Sequence, residues 1–204
     1  VMVLPEDKDR LLPKVANILH QKLPRTYREF QVPLGLTSMT GVCCCGIDDF
    51  LNYFLGTNRL PQNDLDWLKL CEVDLFHVTG GCVVCDGPGQ LTRVRETLGY
   101  YPENIWKKRL ADWCMYVSGR DGPYNVNRVA RRNDMLTARI YVARFCSQVM
   151  EICFILNKRY APYTKWLNRL VRDLPEYGPQ IAPMLDRIIE EQDLHLVVRQ
   201  MIEV

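Results

Sequence analysis

Apolar residues recur at helical spacing over most of this chain. Leu11, Leu12, Val15, Ile18, Leu19 and Leu23 predict a helix over residues 6–23, with acids at its start. A short apolar run over residues 1–4 precedes Pro5 and reads as a strand, as do residues 30–34 and 42–45. Residues 48–55 predict a helix with Asp48 as N-cap and Gly56 at its end; residues 63–70 predict another, capped by Asn63 and burying Trp67. Residues 75–79 continue helical to Gly80-Gly81. Residues 82–86 and 90–92 read as two short strands about Gly87-Pro88-Gly89, with a helix from Thr92 to Leu98.

The second half is helical throughout. Ile105, Trp106, Leu110, Trp113 and Val117 mark residues 102–118, and residues 126–132 form a shorter segment beyond the loop 119–123. Residues 134–160 predict the long helix, with Leu136, Ile140, Ala143, Val149, Cys153 and Leu156 as its stripe and Asp134 as its N-cap or a partner for Arg131. Pro162 breaks that helix and suits the first position of the next, over residues 162–173. Helices over residues 180–192 and 194–202 follow. The expected fold is mainly α (α+β overall): residues 1–45 as a partial α/β sheet, and residues 46–204 as a helical bundle with a small β-turn element near 82–92.

Charge is distributed unevenly. Residues 1–105 carry 10 Lys/Arg against 13 Asp/Glu, residues 106–172 carry 14 against 4, and residues 173–204 carry 2 against 7. The central excess of ten positive charges lies on helical sequence. Two readings are open: it attracts phosphate, a nucleotide or nucleic acid, or it meets an acidic face of the same protein. Nine cysteines, three of them contiguous at Cys43–Cys45, fit a reducing compartment better than a disulfide framework. With no run of membrane-span length and no signal-peptide pattern, a cytoplasmic location without membrane contact is expected. The chain begins Val-Met-Val-Leu-Pro, so it is expected to be a piece of a longer protein.

Residues 157–166, Asn-Lys-Arg-Tyr-Ala-Pro-Tyr-Thr-Lys-Trp, gather three cations and three aromatics around one proline. Lys158, Arg159, Tyr160, Tyr163, Lys165 and Trp166, joined by Arg139 if the flanking helices pack together, are the candidate ligand-binding residues for an anion. The structural alternative packs the aromatics between helices and leaves the cations to water. Arg132 and Arg139 are seven apart on one helical face, whereas Arg144, Ser147 and Glu151 share another, where an ion pair is the simpler reading.

Taken in order, Asp66-Trp67-Leu68, Thr79-Gly80-Gly81, Asp86-x-x-Gly89-x-Leu91-Thr92, Tyr101-Pro102-x-x-x-Trp106 and Arg159-Tyr160-Ala161-Pro162-Tyr163-x-Lys165-Trp166 resemble the uncharacterised bacterial family called domain of unknown function 4037. Arg128, Asp134, Arg139 and Arg144 match polar positions of its long-helix region. The resemblance implies a nucleotidyltransferase-like sheet followed by a helical C-terminal part, and residues 1–45 would be the remnant of that sheet. Mg²⁺ and a nucleotide would then belong to the intact protein, with the missing N-terminal half as this chain's partner. The Gly-Ser loop and paired carboxylates of such an enzyme do not occur here. No catalytic residue or metal site is therefore expected, and this stretch alone is expected to be inactive. The helices would bind an anionic ligand or acceptor beside the missing nucleotide site. The alternative is a non-enzymatic module docking a protein or nucleic acid through its basic helices.

Other chemistry is thinly supported. Cys71, His77, Cys82 and Cys85 include only one Cys-x-x-Cys pair, where structural zinc usually takes two. The same pair lacks a surrounding thioredoxin-like pattern. His20, His77 and His195 lie far apart without a motif, and the Gly-rich stretches lack the Gly-Lys-Ser/Thr of a phosphate loop.

Overall fold

The computed structural model describes residues 1–31 and 44–204. These form two compact units, residues 1–60 with 81–96 and residues 61–80 with 97–204. The expected boundary at 45 thus falls inside the first unit. Residues 32–34 and 42–43 of the predicted strands lie outside the described residues.

In the first unit, β1 (Met2–Val3) pairs in parallel with β4 (Cys45–Gly46), with Met2 opposite Cys45 and Val3 opposite Gly46. Between them run α1 (Lys8–Lys22) and a hairpin of β2 (Thr26–Tyr27) and β3 (Phe30–Gln31). Arg28 and Glu29 both take positive φ at the hairpin tip, as a two-residue turn matched to strand twist demands. No residue of α1 is fully buried, so its apolar stripe is only half covered. β4 runs directly into α2 (Ile47–Leu55), which Gly56 ends in the left-handed conformation. The N-cap is Gly46, not Asp48: with no gap between strand and helix, extended Gly46 occupies that place, and Asp49 reaches back to its N–H at 3.2 Å. Asp49 also pairs with Lys8 at 2.7 Å, tying α2 to α1.

The expected β-turn element near 82–92 does not form. Residues 82–86 are irregular, and α5 (Gln90–Thr97) begins where the second strand was expected. The Asp86 carboxylate accepts from both the backbone N–H and the hydroxyl of Thr92, at 2.7 and 2.8 Å, which satisfies an orphan donor of the helix start. A local polar contact therefore outweighs the apolar run Val83-Val84.

The second unit is built on α8 (Met135–Leu156), against which α6 (Glu103–Met115), α7 (Pro123–Ala130), α9 (Thr164–Val171) and α10 (Gly178–Glu190) pack. α11 (Leu194–Glu203) closes on α7 and α10, and the short helices α3 (Asp64–Lys69) and α4 (Glu72–Thr79) precede α6. Asn63 and Asp134 cap α3 and α8 as expected, each accepting from a backbone N–H at 3.1 Å. The stripe of α8 is corrected. Leu136 and Ile140 are exposed, and the buried face is Ala138, Val142, Phe145, Cys146, Val149 and Cys153. This helix carries apolar residues on nearly every side, so periodicity alone does not choose the face; the four helices packed on it do. α9 likewise starts at Thr164, with Pro162 buried in the extended approach to it rather than in its first turn.

Candidate functional site: the corner between α8 and α9

The corner is pinned from three directions. The Asn157 side chain donates to Cys153 O at 2.7 Å and to Glu176 O at 2.9 Å, and accepts from Glu176 N–H at 3.2 Å. Lys158 then takes φ +50°, and residues 159–163 follow without regular secondary structure. Tyr160 is buried; its ring centroid lies 5.1 Å from that of Tyr100 and 5.0 Å from that of Tyr101, and its hydroxyl donates to Leu98 O at 2.9 Å. Tyr101 meets Trp67 edge-on at 5.9 Å. Burial pushes all three phenols well above their ordinary range, so they remain neutral.

Two half-buried carboxylates, Glu72 beside these rings and Glu151 on α8, act on each other here. Glu72, the first residue of α4, accepts from the backbone N–H of buried Ala161 at 2.9 Å. Burial raises its carboxyl above the usual range, opposed by that N–H, by the Arg109 guanidinium and by the Tyr101 hydroxyl. Glu151 on α8 is pushed up to about 7, first by burial and then by repulsion from Glu72. Only Ser147, whose hydroxyl donates to it at 3.3 Å, eases it. Arg109 lies over the Tyr101 ring at 5.6 Å and donates to Leu70 O at 3.3 Å. The result is a half-buried acid pair in which Arg109 and Tyr101 act on Glu72, and Glu72 in turn repels Glu151.

The outer side of the corner differs. Trp106 Nε1 donates to Ile155 O at 3.0 Å, and Lys158 lies 4.7 Å above the Trp106 ring and 3.8 Å from Glu103. Arg159 and Lys165 are exposed and have no carboxylate partner among the described residues. Tyr163 and Trp166 are each about half exposed, and Lys165 Nζ lies 5.9 and 5.7 Å from their ring centroids. Of the candidate residues, the structure therefore sets Arg159, Tyr163, Lys165 and Trp166 on the surface, engages Lys158 and buries Tyr160. Arg139 is not brought to them. It stands eighteen positions before Asn157, roughly 27 Å along the helix. Its guanidinium donates to Glu191 O and Gln192 O at 2.7 and 3.1 Å, closing the end of α10. Arg132 lies in the turn before α8 and not on that helix.

Residues 67–167 match the model of the family described as domain of unknown function (DUF4037). These residues belong to the DUF4037 family. No curated protein and no solved structure matches the chain. The matched span contains every residue of the aromatic and acidic cluster, from Trp67 and Glu72 to Trp166. Sequence reasoning found Tyr101, Trp106 and Tyr160, read Glu151 only as an ion-pair partner of Arg144, which instead lies 3.9 Å from Asp121, and missed Glu72, Tyr100 and Arg109. One signal was present: Glu151 is the sole carboxylate within α8.

The Mg²⁺ that the resemblance implies for the intact protein does not fit the carboxylates among the described residues. Asp49 is committed to Lys8 and Gly46. Asp66 accepts from Gln62 N–H at 3.1 Å and lies 3.9 Å from Lys69. Among the described residues no group of three or more His, Cys, Asp or Glu is placed to hold a metal, and none of the helices is long and apolar enough to cross a membrane.

Proposed function

We propose that the DUF4037 helical unit is the substrate-side part of a nucleotidyltransferase-like protein, working in a bacterial-type cytoplasm beside a Mg-nucleotide site carried elsewhere in the intact protein. Its corner binds an anionic ligand or acceptor group through Arg159 and Lys165, with Tyr163 and Trp166 flanking the charge. The observation that supports this reading most directly is the pair of exposed cations without carboxylate partners among the described residues. A cation held against aromatic faces keeps its position while its charge stays open to an anion. The parallel β1–β4 pair bridged by α1 supports the α/β part of the reading, since parallel strands need such a crossover. The test is calorimetric titration of the intact protein with ATP–Mg²⁺, other nucleoside triphosphates and inorganic phosphate. Arg159→Ala and Lys165→Ala should each weaken binding by about tenfold, a loss of about 1.4 kcal/mol. Absence of binding, or binding unchanged in both variants, removes the proposal.

A second reading, a module that docks a protein or nucleic acid, draws on the half-exposed Tyr163 and Trp166, residue types enriched at interfaces. Gel shifts across a salt series discriminate the two readings: steeply salt-dependent nucleic-acid binding favours this one.

A further inference from the structure

The loop between Gly81 and Gly89, which the reading above leaves unused, carries Cys82-Val83-Val84-Cys85. Both thiols are free and exposed, and neither belongs to a helix or strand. The chain bends at Val84, which is 94% exposed, and the two cysteines stand on either side of that bend. Both ends of the loop are fixed. Arg95 donates to Gly81 O at 3.1 Å, the Asp86 carboxylate holds Thr92, and Gly89 N–H donates to Asp86 O at 3.0 Å. Gly81 and Gly89 each take φ near +70°, which lets the loop reverse at both anchors. Cys82 and Cys85 also line a cavity of about 630 Å³ together with Met2 and Val3 of β1, Asp86 and Arg95. Closing a bond between them needs no helix or strand to break.

We propose that Cys82 and Cys85 form a reversible dithiol–disulfide pair that exchanges with low-molecular-weight disulfides at the mouth of this cavity. One cysteine thiolate attacks a sulfur of the small disulfide, whose S–S bond breaks and releases one small thiolate. The second cysteine thiolate attacks the protein sulfur of the mixed disulfide, forming the Cys82–Cys85 bond and expelling the second small thiolate. Two cysteine thiols are oxidised, one small disulfide is reduced to two thiols, and the two cysteine protons pass through solvent to the leaving thiolates. The pinned ends keep the second thiol at high effective concentration, so ring closure outruns a second adduct. A pair formed this way is redox-responsive and requires no oxidising compartment.

The full chain, equilibrated in graded mixtures of reduced and oxidised glutathione, quenched with acid, alkylated and peptide-mapped by mass, tests this directly. The expected product is a Cys82–Cys85 disulfide, formed while buried Cys44, Cys45, Cys146 and Cys153 stay reduced. Cys82→Ser should leave Cys85 as a glutathione adduct at about tenfold or more the level seen in the wild type, where closure displaces it. Stable adducts on both cysteines, pairing of either with Cys71 or Cys114, or no oxidation at a ratio that modifies Cys114, each overturns the proposal. The wild-type product decides this without relying on how the variant folds.

Discussion

Glu72 and Ala161, 89 positions apart, are joined by a hydrogen bond of 2.9 Å from the alanine N–H to the glutamate carboxylate. A side chain near the start of the family-matched span thereby holds the backbone near its end. Glu72→Ala should leave that buried N–H without an acceptor and cost about 1–3 kcal/mol. Glu72→Gln keeps an acceptor and removes the repulsion on Glu151, so it should cost far less. Urea midpoints compare the two variants; equal losses would mean that the hydrogen bond is not what matters.

Glu151 makes stability depend on pH in an unusual direction for an acid. Its carboxyl stands at about 7 in the folded protein against an ordinary value of 4.5. Between those values the folded state keeps a proton that the unfolded chain has released. Stability therefore falls as pH rises through that window and levels off above it, by up to about 3 kcal/mol. Glu72, also raised by burial, acts with the same sign. Asp49 is lowered chiefly by its hydrogen bond with Lys8, so its contribution is instead lost as pH falls below the ordinary carboxylate range. Unfolding measured at about pH 5 and about pH 8 should show the decline, and Glu151→Gln should flatten it. A slope unchanged in that variant would place its origin in another group.

What the sequence made legible was local. Asn63 and Asp134 cap the helices they were expected to cap, Gly56 ends α2, and the helices of the second half lie close to their predicted ranges. These depend on contacts within a few residues. The face of α8 was misjudged because Leu136 and Ile140 satisfy the same periodicity as the buried set, and only neighbouring helices choose between them. Glu72 was invisible, and Glu151 was read only as an ion-pair partner, for a related reason. Burial and partners distant in sequence set their chemistry: Ala161, Arg109 and Tyr101 act on Glu72, and Glu72 acts on Glu151. The family motif was legible as a string, while its physical content, tyrosine rings gathered beside Glu72, appears only on folding.

Arg139 and Lys165 were grouped as ligand-binding candidates, and the structure separates what their loss should do. Arg139→Ala removes two charged hydrogen bonds to the carbonyls that end α10, so stability should fall by about 2 kcal/mol. Anion affinity, measured well below the melting range, should be unchanged. Lys165→Ala, at an exposed position whose recorded contacts are ring faces, should give the reverse pattern: lost affinity and stability within about 0.5 kcal/mol. Thermal melts and titration of both variants check the crossover. Loss of affinity in Arg139→Ala would return that residue to the binding face.

The turn into α10 should be the least tolerant backbone of the second unit. Tyr177 takes φ +60° and ψ −46°, and Gly178 N–H donates across it to Glu176 O at 2.6 Å, a tight three-residue turn that strains a residue with a side chain. Asn157 holds Glu176 from the α8 side, so the turn is fixed to the corner. Gly178 itself packs against the end of α9: a Cβ there would stand 1.9 Å from Val171 O and 3.1 Å from Leu174 Cβ. The nearest obstacle is backbone, which cannot rotate away. Gly178→Ala must therefore push α10 off α9 and open the cluster of Leu167, Val171, Leu174 and Ala182, at a cost of about 3 kcal/mol or more. Asn157→Asp, which keeps the shape but replaces two donated hydrogen bonds with a charge facing two carbonyl oxygens, should cost about 2 kcal/mol through the same turn. Denaturant unfolding of the single and double variants measures both. Because Asn157 and Gly178 act on one turn, the double variant should lose less than the two losses added together, and strict additivity would show that the corner and the turn are independent.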